Sequence, residues 1–141
     1  MRPHTPGVHE VEVERFVGAT PAALRRRLSP ATLVEYEGSF AARAAVEEGA
    51  ETVVTVAGGG LEFDLRFVET DDGWRYSQDG DRGPFDAMET AVTVSAADEG
   101  SRVRAVSRVS LGLPVPLSDR VAGWKRRGEL GRLLDSVAAD A

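Results

Sequence analysis

The segment Leu61-Glu62-Phe63-Asp64-Leu65-Arg66-Phe67-Val68 alternates apolar and charged residues along its length. Leu61, Phe63, Leu65 and Phe67 point one way, and Glu62, Asp64 and Arg66 the other. This is the period of a strand with one buried and one wet face. On its C-terminal side, Asp71-Asp72-Gly73 is a hairpin turn of the Asp-Gly type, and Trp74, Tyr76 and Ser77 start the next strand. On its N-terminal side, Gly58-Gly59-Gly60 is a flexible turn leading back to a short β-branched strand at 52–57.

Strand signals continue outward in both directions. Residues 39–47 place Phe40, Ala42, Ala44 and Val46 on one face, and Glu48-Gly49-Ala50 turns the chain. Asp79-Gly80-Asp81-Arg82-Gly83-Pro84 is a loop. Residues 85–97 and 102–111 form the last hairpin, joined around Asp98-Glu99-Gly100. An opening strand at 8–17 puts Val11, Val13 and Val17 on one face and Glu10, Glu12 and Glu14 on the other. The three aligned glutamates discourage edge pairing. The expected sheet therefore has seven strands, and a sheet this long must curl around something.

Helical signals are few. Thr20-Pro21 and Ser29-Pro30 each combine an N-cap hydroxyl with proline at the first helical position. They predict two short helices, one ending near Leu28 and one near Glu35, too short to stand without docking on the sheet. Leu113-Pro114-Val115-Pro116 is an extended linker. Ser118 then caps a long closing helix over 117–139, on which Leu117, Val121, Trp124, Leu134 and Val137 recur near helical spacing. Trp124 is expected to face the sheet.

Bulk properties exclude several function classes. The chain has 141 residues and 42% hydrophobic content, which fits a single domain spanning 1–141. No stretch approaches the roughly 20 apolar residues of a membrane span. Residues 1–7 carry two prolines and no apolar core, so the default expectation is a cytoplasmic protein without a secretory signal. The absence of cysteine removes disulfides and thiolate chemistry. A net charge of −6 disfavours nucleic-acid binding. Lys125-Arg126-Arg127 reads as a solvated helix face.

The order strand, two short helices, six strands, long closing helix resembles the helix-grip fold of the START-related superfamily, in particular its polyketide cyclase/dehydrase and lipid-transport-like branch. The local patterns carrying the resemblance are the opening strand followed by Thr20-Pro21-Ala22-Ala23-Leu24, and Glu129-Leu130-Gly131-Arg132-Leu133-Leu134 near the end. The resemblance implies an α+β protein: a seven-stranded curved antiparallel sheet gripping the C-terminal helix. It also implies an apolar ligand of lipid, polyketide or quinone type between the two. Some members of the superfamily are enzymes and many only bind.

The expected ligand-facing set is Phe40, Leu61, Phe63, Leu65, Phe67, Trp74, Tyr76, Phe85, Glu89, Thr93 and Trp124. Its apolar members serve equally as a pocket wall or a filled core. For residues 85–97 the sequence leaves the inward face open: Glu89 and Thr93 share one parity, and Met88, Val92 and Val94 the other. If turned inward, Glu89, Tyr76 and Thr93 would be the polar residues of a cyclase or dehydratase. Gly123, Gly128 and Gly131 in the last helix suit either close packing or room for a ligand. His4 and His9 are poorly placed for a catalytic triad or a metal site. Gly58-Gly59-Gly60 lacks the lysine and helix of a phosphate loop, and the 79–86 loop lacks calcium-loop spacing. No cofactor or metal is expected; the expected partner is an apolar small molecule.

Overall fold

The computed structural model describes residues 8–110 and 116–140, with the side chains of 116–120 excluded. The readings of His4, the 1–7 tail, most of the 113–116 linker and the side chains of Leu117 and Ser118 fall outside the described residues.

The elements are β1 (His9–Val17), α1 (Pro21–Arg27), α2 (Pro30–Glu37), β2 (Ala41–Glu48), β3 (Glu51–Gly58), β4 (Leu61–Thr70), β5 (Gly73–Asp79), β6 (Ala87–Ala97), β7 (Gly100–Ser110) and α3 (Pro116–Ala139). The strands form one curved antiparallel sheet in the order β1-β7-β6-β5-β4-β3-β2. Every strand pairs with its sequence neighbour except β1, which crosses over to β7. The α1–α2 connector makes that crossover. The architecture is the helix grip.

Both short helices start as their sequences dictate. The Thr20 hydroxyl accepts from Ala23 N at 3.2 Å and the Ser29 hydroxyl from Thr32 N at 3.2 Å, each before a proline. α2 runs two residues beyond Glu35, to Glu37, and Gly38 ends it in the left-handed conformation. The indole of Trp74 donates to Leu28 O at 2.9 Å and docks the connector on the sheet.

Register assigns the inner face. Residues paired across antiparallel strands share a face, so Thr52, Phe67, Tyr76, Thr90, Ser107 and Val11 form one continuous inner row. On β6 the inward set is Met88, Thr90, Val92 and Val94, all buried. This settles the parity that the sequence left open.

Two expectations need correction. Phe40, Ala42, Ala44 and Val46 do not share one face. The β2–β3 register shifts between Ala42 and Ala44, a β-bulge, and one extra residue reverses the alternation beyond it. Ala42 remains packed on the core, while Val46 is exposed on the other side. The turn after β6 also differs: the positive-φ residues are Asp98 and Glu99, and Gly100 already belongs to β7. Gly100 is glycine because a Cβ there would collide with Val17 O.

Candidate functional site: a buried guanidinium beneath the closing helix

The inner face of α3 carries Ala122, Arg126, Glu129, Leu130, Leu133, Leu134 and Val137, all buried. Their spacing repeats at 3–4 residues, which is one helical stripe. Arg126 and Glu129 occupy positions of that stripe that would ordinarily be apolar. α2 offers a similar stripe of Leu33, Val34 and Glu37. The two helices therefore bring one cation and two carboxyl groups to the inner row of the sheet.

Arg126 is 2% exposed, Glu37 7% and Glu129 3%. The guanidinium holds Glu37 with both terminal nitrogens, Nη1 to Oε2 at 3.0 Å and Nη2 to Oε1 at 3.0 Å. This is the bidentate geometry that suits arginine and not lysine. Nη1 also donates to Glu129 Oε1 at 3.2 Å, and Nε to Ser107 Oγ at 3.1 Å. Nη2 lies 2.9 Å from both the Tyr76 hydroxyl and Thr90 Oγ1. A guanidinium has five N–H groups, so its protons are shared among these six acceptor contacts. The Tyr76 hydroxyl in turn donates to Glu37, and Thr90 and Ser107 are joined at 2.7 Å. No buried side-chain nitrogen or oxygen among the described residues lacks a partner.

The electrostatics follow from burial. Desolvation, reinforced by the Glu37 carboxylate, raises the Tyr76 hydroxyl well above the usual tyrosine value, so it remains a proton donor. For Arg126, desolvation works against the charge, but the Glu37 carboxylate and the Tyr76 oxygen outweigh it and hold the guanidinium well above the usual arginine value. Arg132 completes the joint by donating to Glu37 O at 2.8 Å. The C-terminal end of α2 thus meets cations from α3, the favourable sign for a helix dipole.

The aromatic part of the expected set forms two clusters. Phe67 stacks on Tyr76 with centroids 4.5 Å apart and meets Trp74 edge-on at 6.3 Å. Phe40 and Phe63 form an edge-to-face pair at 5.0 Å. Leu65 and Phe85 are buried, and Phe85 is clamped through its backbone N–H and C=O by the Gln78 amide at 3.1 and 2.6 Å. Leu61, at the start of β4, is exposed and does not join them, contrary to the expectation from alternation, because it sits at the strand's end beside the Gly59-Gly60 turn.

Three further expected residues do not join the interior. Trp124 is 78% exposed, because the buried stripe lies on the opposite side of α3. Val121, grouped with it on spacing, is also exposed. Glu89 and Thr93 lie on the outer-face parity of β6, and Glu89 is exposed. Conversely, Arg126 is not part of a solvated basic face. The residues that sequence reading missed (Glu37, Thr90, Ser107, Arg126 and Glu129) had one detectable signal. Glu37 lies three and four residues after Val34 and Leu33. Arg126 and Glu129 interrupt a stripe running from Ala122 to Val137.

The helix glycines divide. A Cβ on Gly123 would run into the His9 ring, so that position packs tightly on β1. A Cβ on Gly131 would meet nothing.

Two surface grooves are prominent. One, of about 440 Å³, is lined by Glu62, Asp64, Asp79, Asp81 and Arg82 together with Phe63 and neighbours. The other, of about 450 Å³, lies where β5 and β6 part: their pairing ends at Ser77–Glu89, and the strands separate beyond it. Its lining combines Gln78, Met88 and Val109 of the inner face with Ser77, Glu89 and Arg108 of the outer face. It is a notch in the sheet wall.

Known structures share this architecture. The chain is similar to the Zhui aromatase/cyclase from a Streptomyces species, with a TM-score of 0.69 at 16% identity over 92% of this chain and 93% of that one. It is similar to a START superfamily protein from Mycobacterium smegmatis, with a TM-score of 0.64 at 14% identity over 94% and 98%. It also matches the di-domain aromatase/cyclase BexL, with a TM-score of 0.67 at 14% identity over 97% of this chain and 52% of that one. The fold is a START-like, cyclase-like helix grip. At these identities the likeness establishes the fold alone. No protein-family model matches the sequence, and no curated protein matches it by sequence comparison.

Proposed function

We propose that residues 1–141 form a single binding domain that holds a small-to-medium apolar molecule of lipid, polyketide or quinone type between the sheet and α3, acting in the cytoplasm. The observation that carries this reading is the notch between β5 and β6. Its lining includes four apolar residues, Val8, Ala87, Met88 and Val109, against Phe63 alone in the acidic groove. The acidic groove offers an apolar molecule mainly carboxylates. A ligand entering the notch would meet Gln78, Met88 and Val109, with burial contributing about 25 cal/mol for each Å² of apolar surface removed from water.

The test uses the full chain and the fluorescent apolar probe anilinonaphthalene sulfonate. Ala87 is exposed and lines the notch, so Ala87→Trp blocks it without entering the core. Saturable probe binding that Ala87→Trp abolishes, with circular dichroism unchanged, supports the reading. Probe binding unaffected by Ala87→Trp, or none at all, rejects it.

One observation favours a cyclase-type enzyme as a second reading: the protonated Tyr76 hydroxyl lies beside Glu37 and Arg126, a proton donor next to a fixed cation. Such a pair can polarise an enolisable carbonyl. Binding ranks above it because every donor in the network already has an acceptor within the protein. Turnover of an enolisable polyketone that Tyr76→Phe abolishes would reverse that ranking.

A further inference from the structure

The outward face of α3 has a composition the fold does not require. Trp124 is 78% exposed and Val121, one turn before it, 59%. Gly128 and Gly131 follow on the same side at i+4 and i+7 from Trp124. Neither glycine is demanded by packing, since a Cβ on Gly131 would meet nothing and one on Gly128 only ordinary contact with Arg132. Lys125 and Arg127 are exposed beside this strip, Arg127 donating one N–H to Glu12 O of β1 at 3.2 Å and keeping its other donors for a partner. The nearest acid on it, Asp135, is already held by Arg15 of β1. Glu12 and Glu14 are occupied on the far side of β1, bonded to Arg104 at 2.6 Å and Arg102 at 2.9 Å. The chain as a whole carries −6, so this face is cationic on an otherwise acidic molecule.

We propose that the outward face of α3 is a docking surface for an anionic lipid bilayer. An indole fits the headgroup level, being apolar with one polar edge. The neighbouring lysine and arginine stems reach lipid phosphates while their methylenes lie along the apolar strip. Gly128, exposed, and Gly131, half-buried, let the helix backbone approach the surface closely. Charge complementarity selects this occupant. An anionic surface attracts Lys125 and Arg127 and repels the acidic remainder, which fixes the orientation of the domain. The inference stands apart from the ligand reading, and either can fail alone.

The experiment is flotation of the full chain with vesicles of phosphatidylcholine alone and of phosphatidylcholine with phosphatidylglycerol in equal parts, alongside tryptophan emission. Trp74 is an internal control because its indole is bonded to Leu28 O within the fold. The expected result is association with the anionic vesicles only, reversal by salt, and a blue shift absent from Trp124→Ala. Lys125→Glu/Arg127→Glu should weaken association roughly tenfold or more, because the attraction of each cation is lost and repulsion is added. Should the double variant fail to fold, Lys125→Glu alone serves, since Lys125 forms no hydrogen bond or ion pair among the described residues. Equal association by the wild type and the charge variants overturns the proposal, as does no association with either vesicle. A lipid-free dimer that Trp124→Ala dissociates would assign the face to a second copy of the chain and equally overturn it.

Discussion

Trp124 and Arg126 lie two residues apart on α3, and each occupies the surroundings usually given to the other. Two residues are 200° on a helix, so burying one exposes the other. The remainder of each stripe makes the choice. Arg126 shares its side with Ala122, Leu130, Leu133 and Val137, whereas Trp124 shares its side with Val121 and two glycines. Burying the larger apolar set draws Arg126 inward, and this is tolerated only because Glu37, Glu129, Tyr76, Thr90 and Ser107 meet its donors. The fate of one large side chain is thus decided by residues one and two turns away, and by partners nearly ninety residues distant.

The contrast is most open to attack at Arg126. Arg126→Met leaves Glu37 and Glu129 buried without their cation, and should cost about 3–5 kcal/mol in urea denaturation. Trp124→Ala should cost under about 0.5 kcal/mol. Equal effects of the two would break the comparison. The triple variant Arg126→Met/Glu37→Leu/Glu129→Leu sharpens it. With all three charges gone, stability should return to within about 1 kcal/mol of the wild type or exceed it. A triple variant as unstable as Arg126→Met would mean that the network's shape, rather than its charge balance, matters.

Tyr76→Phe comes next. It removes one donor to Glu37 and one acceptor for Arg126, and should cost about 1.5–3 kcal/mol, the range for hydrogen bonds to charged groups. It also makes a pH prediction. The folded-state pKa of Tyr76 lies above the ordinary value of 10.0, so the folded state retains a proton that the unfolded chain gives up. Its stabilising contribution is complete below pH 10 and is lost as pH rises from there toward the folded value. The wild type should therefore lose stability above pH 10, and Tyr76→Phe should show a flatter decline. Identical slopes would mean that Tyr76 is not protected.

Much of the fold was legible because alternation and turn chemistry are local. The 61–68 strand, the Asp72-Gly73 hairpin and the Thr20-Pro21 and Ser29-Pro30 starts all carry their signal within four to eight residues. The bulge between Ala42 and Ala44 was not legible, since an alanine-rich strand has too little contrast to show a change of face. The candidate site was half legible. Phe63, Phe67 and Tyr76 are inward because their strands alternate. Arg126 was misread because three consecutive basic residues resemble a wet surface, and only the partner carboxylates on α2 and α3 reveal otherwise. Those partners meet through tertiary packing, which no local window contains.

The two kinds of glycine on α3 give a smaller, oppositely signed effect. Gly131→Ala adds a methyl group that touches nothing and removes backbone freedom from the unfolded chain. It should stabilise by about 0.5–1 kcal/mol. Gly123→Ala pushes a methyl group into the His9 ring and should destabilise. Matching signs would show that α3 can shift along β1.

The smallest effect concerns β6, where the sequence offered two faces and the register chose one. Glu89 pairs across the sheet with Arg108, and Thr93 with Arg104, both on the convex side. Neither side chain enters the core, so Glu89→Gln and Thr93→Ala should each change stability by no more than about 0.5 kcal/mol. Thr90, one residue from Glu89 and on the opposite face, contacts Arg126 at 2.9 Å and Ser107 at 2.7 Å. Thr90→Val keeps its shape and removes both of these bonds together with the weaker one to Met88 Sδ at 3.1 Å, so it should cost about 1–3 kcal/mol. A loss at Glu89 as large as at Thr90 would mean that the strand lies one residue out of the register described, and the inner row from Phe67 to Ser107 would have to be redrawn.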